Sequence, residues 1–86
     1  MSSWTEEQKR MRMANHARII RDTASWPSKV LPLKSQPWVT EANGDRMTTG
    51  TIARRSVERG QPYVVSDSGI QVFDTVEELV KVWAVD

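Results

Sequence analysis

Apolar and polar residues alternate along this 86-residue chain in several rhythms, each predicting a different element. Near the start, Met13, Ala17, Ile20 and Ala24 fall at i, i+4, i+7 and beyond, the spacing that aligns on one side of an α-helix. Ser3 followed by Glu6 reads as a capping box, in which the cap and the third helical residue satisfy each other's backbone donors. Glu6 and Glu7 fall in the first turn, where the helix dipole favours negative charge. No Gly or Pro interrupts before Pro27, so a helix is expected over Trp4–Ala24. Its apolar stripe is narrow, because Trp4, Met11 and Ala14 lie on a neighbouring one and Lys9, Arg10, Arg12, Arg18 and Arg21 spread around the cylinder. Such a helix needs a packing partner to persist.

Pro27, Pro32 and Pro37 then recur at intervals of five. They forbid a helix and hold their predecessors extended, so 25–37 reads as an irregular or polyproline-II-like connector pinned by Trp26 and Trp38. Val30, Leu31 and Leu33 make it too apolar for a free linker, and its spacing is not that of a PxxP ligand. Asn43-Gly44 is the turn dipeptide that accepts positive φ at both positions, which predicts a hairpin over 38–49. Gly50–Arg59 reads as a short helix stopped by Gly60 and Pro62, with Ile52, Ala53 and Val57 inward and Arg54, Arg55 and Arg59 outward. Tyr63–Val65 and Ile70–Phe73 are β-rich runs joined through Ser66–Gly69, a second hairpin with Gly69 in the left-handed position. Asp74 or Thr75 caps a last amphipathic helix with Val76, Leu79, Val80 and Trp83 on one side, and Glu77, Glu78 and Lys81 toward water. The expected architecture is α+β: one small domain over 1–86, with 1–24 a helix able to extend from the core, 25–37 a Pro/Trp-rich connector and 38–86 the α+β core.

Composition changes this picture in two places. Four tryptophans accompany a single Phe and a single Tyr. Since one Trp removes roughly 150–250 Å² from water, core burial is their first expected role, and anchoring an interface the second. There is no cysteine, which excludes disulfides and thiolate metal sites. With no apolar run of membrane-spanning length and no signal-peptide pattern at the start, a soluble cytoplasmic protein is expected. The net charge of +1 divides unevenly, +5 over residues 1–60 against −4 over 61–86. That split fits internal complementarity as well as a basic face for an anionic partner.

Chemistry is sparse. His16 is the only histidine, and its i±4 neighbours are Arg12 and Ile20, so neither a metal site nor a nucleophile–base pair forms around it. Glu6-Glu7 and Glu77-Glu78 are adjacent residues, which diverge by about 100° on a helix. The glycines stand singly, so no phosphate loop exists. Neither enzyme activity, cofactor nor metal is expected. The leading expectation is a non-catalytic protein-binding regulator (an inhibitor, adaptor or accessory subunit), of a size that suits a phage-encoded protein acting on a host partner. The first helix would carry its interface through Trp4, Arg10, Met11, Arg12, Met13, Arg18 and Arg21.

A second expectation comes from a resemblance. Thr51-Ile52-Ala53-Arg54-Arg55-Ser56-Val57-Glu58-Arg59-Gly60-Gln61-Pro62, the hairpin up to Phe73, and Asp74-Thr75-Val76-Glu77-Glu78-Leu79 resemble the second half of an excisionase or MerR-type winged helix. The resemblance implies nucleic-acid binding, with Arg54, Arg55 and Arg59 on a recognition helix and Ser66–Gly69 at the tip of a wing. The place of that family's preceding apolar helix is held here by Trp38–Thr49.

Overall fold

The structure is a computed structural model and describes residues 3–86. Helix α1 spans Glu6–Arg21. Its capping box is made by Thr5 and Gln8, not by Ser3 and Glu6: the Thr5 hydroxyl accepts from the Gln8 amide at 3.1 Å, and the Gln8 side chain accepts from the Thr5 amide at 3.0 Å. Ser3 donates instead to Glu41. The helix stops short of Ala24 because Asp22 leaves helical geometry and its carboxylate accepts from the Ser25 hydroxyl at 2.6 Å, starting a short 3-10 turn over Thr23–Ser25. Ala17 and Ile20 enter the core, with Met13 packed against it, as the i, i+4, i+7 stripe requires. The helix therefore lies on the domain and does not extend from it.

The stretch read as a connector is the middle of the sheet. Strand β1 (Val30–Ser35) alternates, with Leu31, Leu33 and Ser35 buried and Val30 and Pro32 exposed. It pairs antiparallel with β2 (Thr49–Ala53) on one flank and β5 (Trp83–Val85) on the other. A proline in such a strand costs a ladder donor. Here the loss falls at the fringe of β5: the Pro32 carbonyl accepts from the Asp86 amide at 3.1 Å, so its missing N–H faces the same flank, beyond the last paired residues. Strands β3 (Tyr63–Ser66) and β4 (Gly69–Val72) complete the order β4-β3-β2-β1-β5. The expected β3–β4 hairpin is present, with Tyr63 opposite Val72 and Val65 opposite Ile70, and Gly69 takes φ +107.

Three further expectations are corrected. Residues 38–49 form no hairpin. Pro37 opens helix α2 (Pro37–Ala42), and the positive φ values fall at Gly44 and Asp45 in the turn after it. Proline at a first helical position is pre-organised for helix, and it outweighed the Asn-Gly signal. Residues 49–53 are strand β2, leaving only Arg54–Glu58 as helix α3 before Gly60, at φ +78. The last helix, α4, keeps its expected cap, with the Thr75 hydroxyl accepting from Glu78, but spans only Val76–Leu79. Trp83 belongs to β5, where pairing with Ser35 on β1 takes it out of the helix.

The inner face of the sheet gathers Leu31, Leu33, Ile52 and Val64 beneath Val76, Leu79, Val80 and Trp83. The Trp83 indole N–H donates to Gln71 on β4 at 2.9 Å, so a side chain of one edge strand reaches the other edge strand across the inner face. Such reach requires a strongly curled sheet. Its outer face carries Val30, Pro32, Thr51, Tyr63, Val65, Ile70 and Val72, placed together by the pairing register.

Candidate functional site

The two edges of the sheet differ in how their backbone groups are treated. Along β5, Ala84 faces β1, while Trp83 and Val85 turn their backbone groups outward. Two of these four outward groups are met by side chains. The Val85 amide donates to His16 Nδ1 at 2.9 Å, and the Trp83 carbonyl accepts from Gln36 Nε2 at 3.0 Å. Gln36 is fully buried and sits between β1 and α2. It also donates to the Val80 carbonyl at 2.7 Å, accepts from Arg12 Nε at 2.8 Å, and donates its own amide to Val82 at 2.8 Å. Helix α1, through Arg12 and His16, thus closes the β5 edge.

His16 accepts through an unprotonated Nδ1, so the bond exists only in the neutral ring. Partial burial lowers its pKa below the ordinary 6.5, and the Arg12 and Lys34 cations add to this. Because the folded pKa is the lower one, the unfolded chain binds the proton first as pH falls. The contribution to stability is therefore complete above 6.5, declines as pH drops below that value, and levels off beneath the folded pKa. Chemical denaturation between about pH 7.5 and about pH 5 is expected to show this decline in the native chain and a flatter profile in His16→Gln. Equal slopes in the two proteins would remove His16 from the account.

The residues expected to form an interface on α1 are distributed over three places. Trp4 and Trp38 meet edge-to-face at 5.9 Å, with Arg12 5.5 Å from the Trp4 ring and Lys9 5.7 Å from the Trp38 ring. The Trp38 N–H donates to the Lys81 carbonyl at 2.8 Å, so this half-buried pair fastens the start of α1 to α2 and to the turn after α4. Trp26 and Trp83 are buried in the core. Arg10, Met13 and Arg21 line a groove of about 360 Å³ between α1 and α4, and Arg21 is ion-paired with Glu77 across it. Met11 and Arg18 are exposed on the far side of the helix.

The residues of the nucleic-acid reading come together differently. Arg54 and Arg55 open α3 and, with Lys29, Val30, Ala53, Glu58 and Tyr63, line a hollow of about 390 Å³ on the outer side of the sheet. Arg54 lies 4.0 Å from Glu58. Arg59 lies past the end of the helix, as its C-cap. The five residues of α3 rise only about 7–8 Å, and the start of the expected recognition helix is strand β2, so the winged-helix arrangement is not formed.

Sequence reasoning missed the outer face of the sheet. Val30, Val65, Ile70 and Val72 are 48%, 42%, 67% and 59% exposed there, and Tyr63 is half-buried among them. A contiguous exposed apolar patch marks an interaction surface more often than scattered exposed hydrophobes do. The hollow with Lys29, Arg54 and Arg55 adjoins it at Val30 and Tyr63. The signal lay in the strands themselves: Tyr63-Val64-Val65 carries apolar residues on both sides where a half-buried strand needs them on one, and its pairing sets Ile70 and Val72 beside Val65 and Tyr63 on the outer side. Among the described residues no group of three or more His, Asp or Glu is placed to hold a metal ion, and no helix is long and apolar enough to cross a membrane. No protein-family model, curated protein or solved structure matches this chain.

Proposed function

We propose that this protein is a non-catalytic protein-binding domain of the cytoplasm that holds an extended, acidic and apolar segment of a partner protein on the outer face of its sheet. The observation that carries the reading is the exposed cluster of Val30, Val65, Ile70 and Val72 beside Tyr63. An aromatic and aliphatic centre with a charged rim is the usual anatomy of a binding surface. Lys29 and Arg55 at the rim favour carboxylates in the ligand.

The test uses peptides selected for binding to the immobilised full chain from a random display library. Calorimetry of those peptides against Val30→Glu and Arg55→Glu is expected to show at least about tenfold weaker binding than the native protein. Arg10→Glu and Arg18→Glu on α1 are expected to change affinity by less than about twofold, the scale of a rim charge. The reverse pattern would return the interface to α1. Duplex DNA in place of peptide, bound with a steep salt dependence that Arg54→Ala and Arg55→Ala reduce, would instead favour the nucleic-acid reading.

A further inference from the structure

We infer that β4 is a self-pairing edge, through which two copies of this chain join antiparallel into one continuous sheet. The inference is independent of the peptide-binding reading and rests on the β3–β4 ladder. The Phe73 amide donates to the Pro62 carbonyl at 2.9 Å, and the register continues through Tyr63↔Val72, Val64↔Gln71, Val65↔Ile70 and Ser66↔Gly69. Bonded and non-bonded pairs alternate along an antiparallel ladder. Gln71 and Gly69 therefore turn their backbone groups toward β3, while Ile70 and Val72 turn theirs away from it. No strand lies beyond β4 among the described residues. At the opposite edge His16 and Gln36 meet two of the outward groups, and this one is bare.

The bare edge also lacks the devices that keep edges apart. Gly69-Ile70-Gln71-Val72-Phe73 has no charge and no proline, whereas protected edges commonly carry Lys, Pro or a bulge. Ile70 and Val72 lie symmetrically about Gln71. A two-fold axis through Gln71 sets Ile70 of one copy opposite Val72 of the other, twice, so that both outward amides and both outward carbonyls of each copy are bonded. The same operation places β-branched side chains side by side on the outer face, a favourable cross-strand pair. It sets Asp74 opposite Ser68 and Asp67 opposite Thr75, so no like charges stand directly opposite. This match to itself points to a second copy of the chain over an unrelated strand.

The test is sedimentation of the full chain from about 1 to about 300 µM, a range that spans weak and moderate self-association. The mass is expected to rise from 9.8 kDa toward twice that value. Val72→Pro removes an outward donor without touching the β3 ladder, and Ile70→Lys places a charge at the edge. Both are expected to remain monomeric across the range, with thermal midpoints at low concentration close to the native one. A native chain that stays monomeric throughout overturns the inference, as does a dimer that survives both substitutions. If either variant fails to fold, amide exchange on the native chain decides: Ile70 and Val72 must slow as concentration rises, and unchanged exchange there overturns it.

Discussion

Replacing Gln36 with leucine is expected to lower the stability of the fold by about 3–4 kcal/mol. The side chain is fully buried and all its bonds are internal, to Val80, Trp83 and Arg12. Leucine has similar bulk, so the cavity term is small. What remains is two buried carbonyls and a part-buried arginine that have lost their partner. A single unsatisfied buried group costs about 1–3 kcal/mol, and these three share one network, so their costs do not simply add. Equilibrium unfolding in urea measures the effect. Gln36→Glu discriminates further, since it keeps the Arg12 contact and loses the donor to both carbonyls. A loss below about 1 kcal/mol for Gln36→Leu would show that the β5 edge is not held by this residue.

Gly50→Ala is the second large effect, at about 2–3 kcal/mol. A Cβ at this position meets Val64 Cγ1 at 2.8 Å, the Val65 carbonyl oxygen at 3.0 Å and Trp83 Cη2 at 3.3 Å. One of these is backbone of the neighbouring strand, and another is the ring that crosses the curled sheet toward Gln71, so neither yields easily. Replacing glycine usually stabilises through the unfolded chain by about 0.4–1 kcal/mol, which falls short of offsetting the overlap. The chemical shift of the Trp83 indole N–H gives a second readout, because displacement of the ring from Gly50 also alters its bond to Gln71. A variant as stable as the native chain, with an unchanged Trp83 indole N–H shift, would contradict the close approach.

How much of this was legible in the sequence depended on whether a residue's role was local. The Met13–Ala17–Ile20 stripe, the Thr75 cap, Gly60 and the Ser66–Gly69 turn are settled within a few residues, and the structure has each of them. Strand β1 was not legible, because Pro32 is acceptable only where Asp86, far along the chain, supplies the single bond needed on that flank. Trp83 satisfies helical spacing with Val76, Leu79 and Val80, yet pairing with Ser35 takes it into a strand. Asn43-Gly44 signalled a turn correctly, but not that a helix opened by Pro37 would precede it. Among candidate site residues, the charges on α1 were visible while their internal partners, Gln36 and Glu77, were not. The apolar outer face emerged only when the register placed Val30, Val65, Ile70 and Val72 together. Gln36 left no trace in pattern or composition, since nothing local distinguishes a buried glutamine from an exposed one.

Helix α1 covers one edge of the sheet, and the outer face near β3 and β4 is the surface proposed for a partner. Amide chemical-shift mapping of the labelled full chain, titrated with a selected acidic and apolar peptide, addresses it most directly. Perturbations are expected at Lys29, Val30, Arg55, Tyr63, Val65, Ile70 and Val72, with His16, Gln36 and Val85 undisturbed. Shifts confined to Arg10, Met11, Arg18 and the groove beside α4 would contradict it.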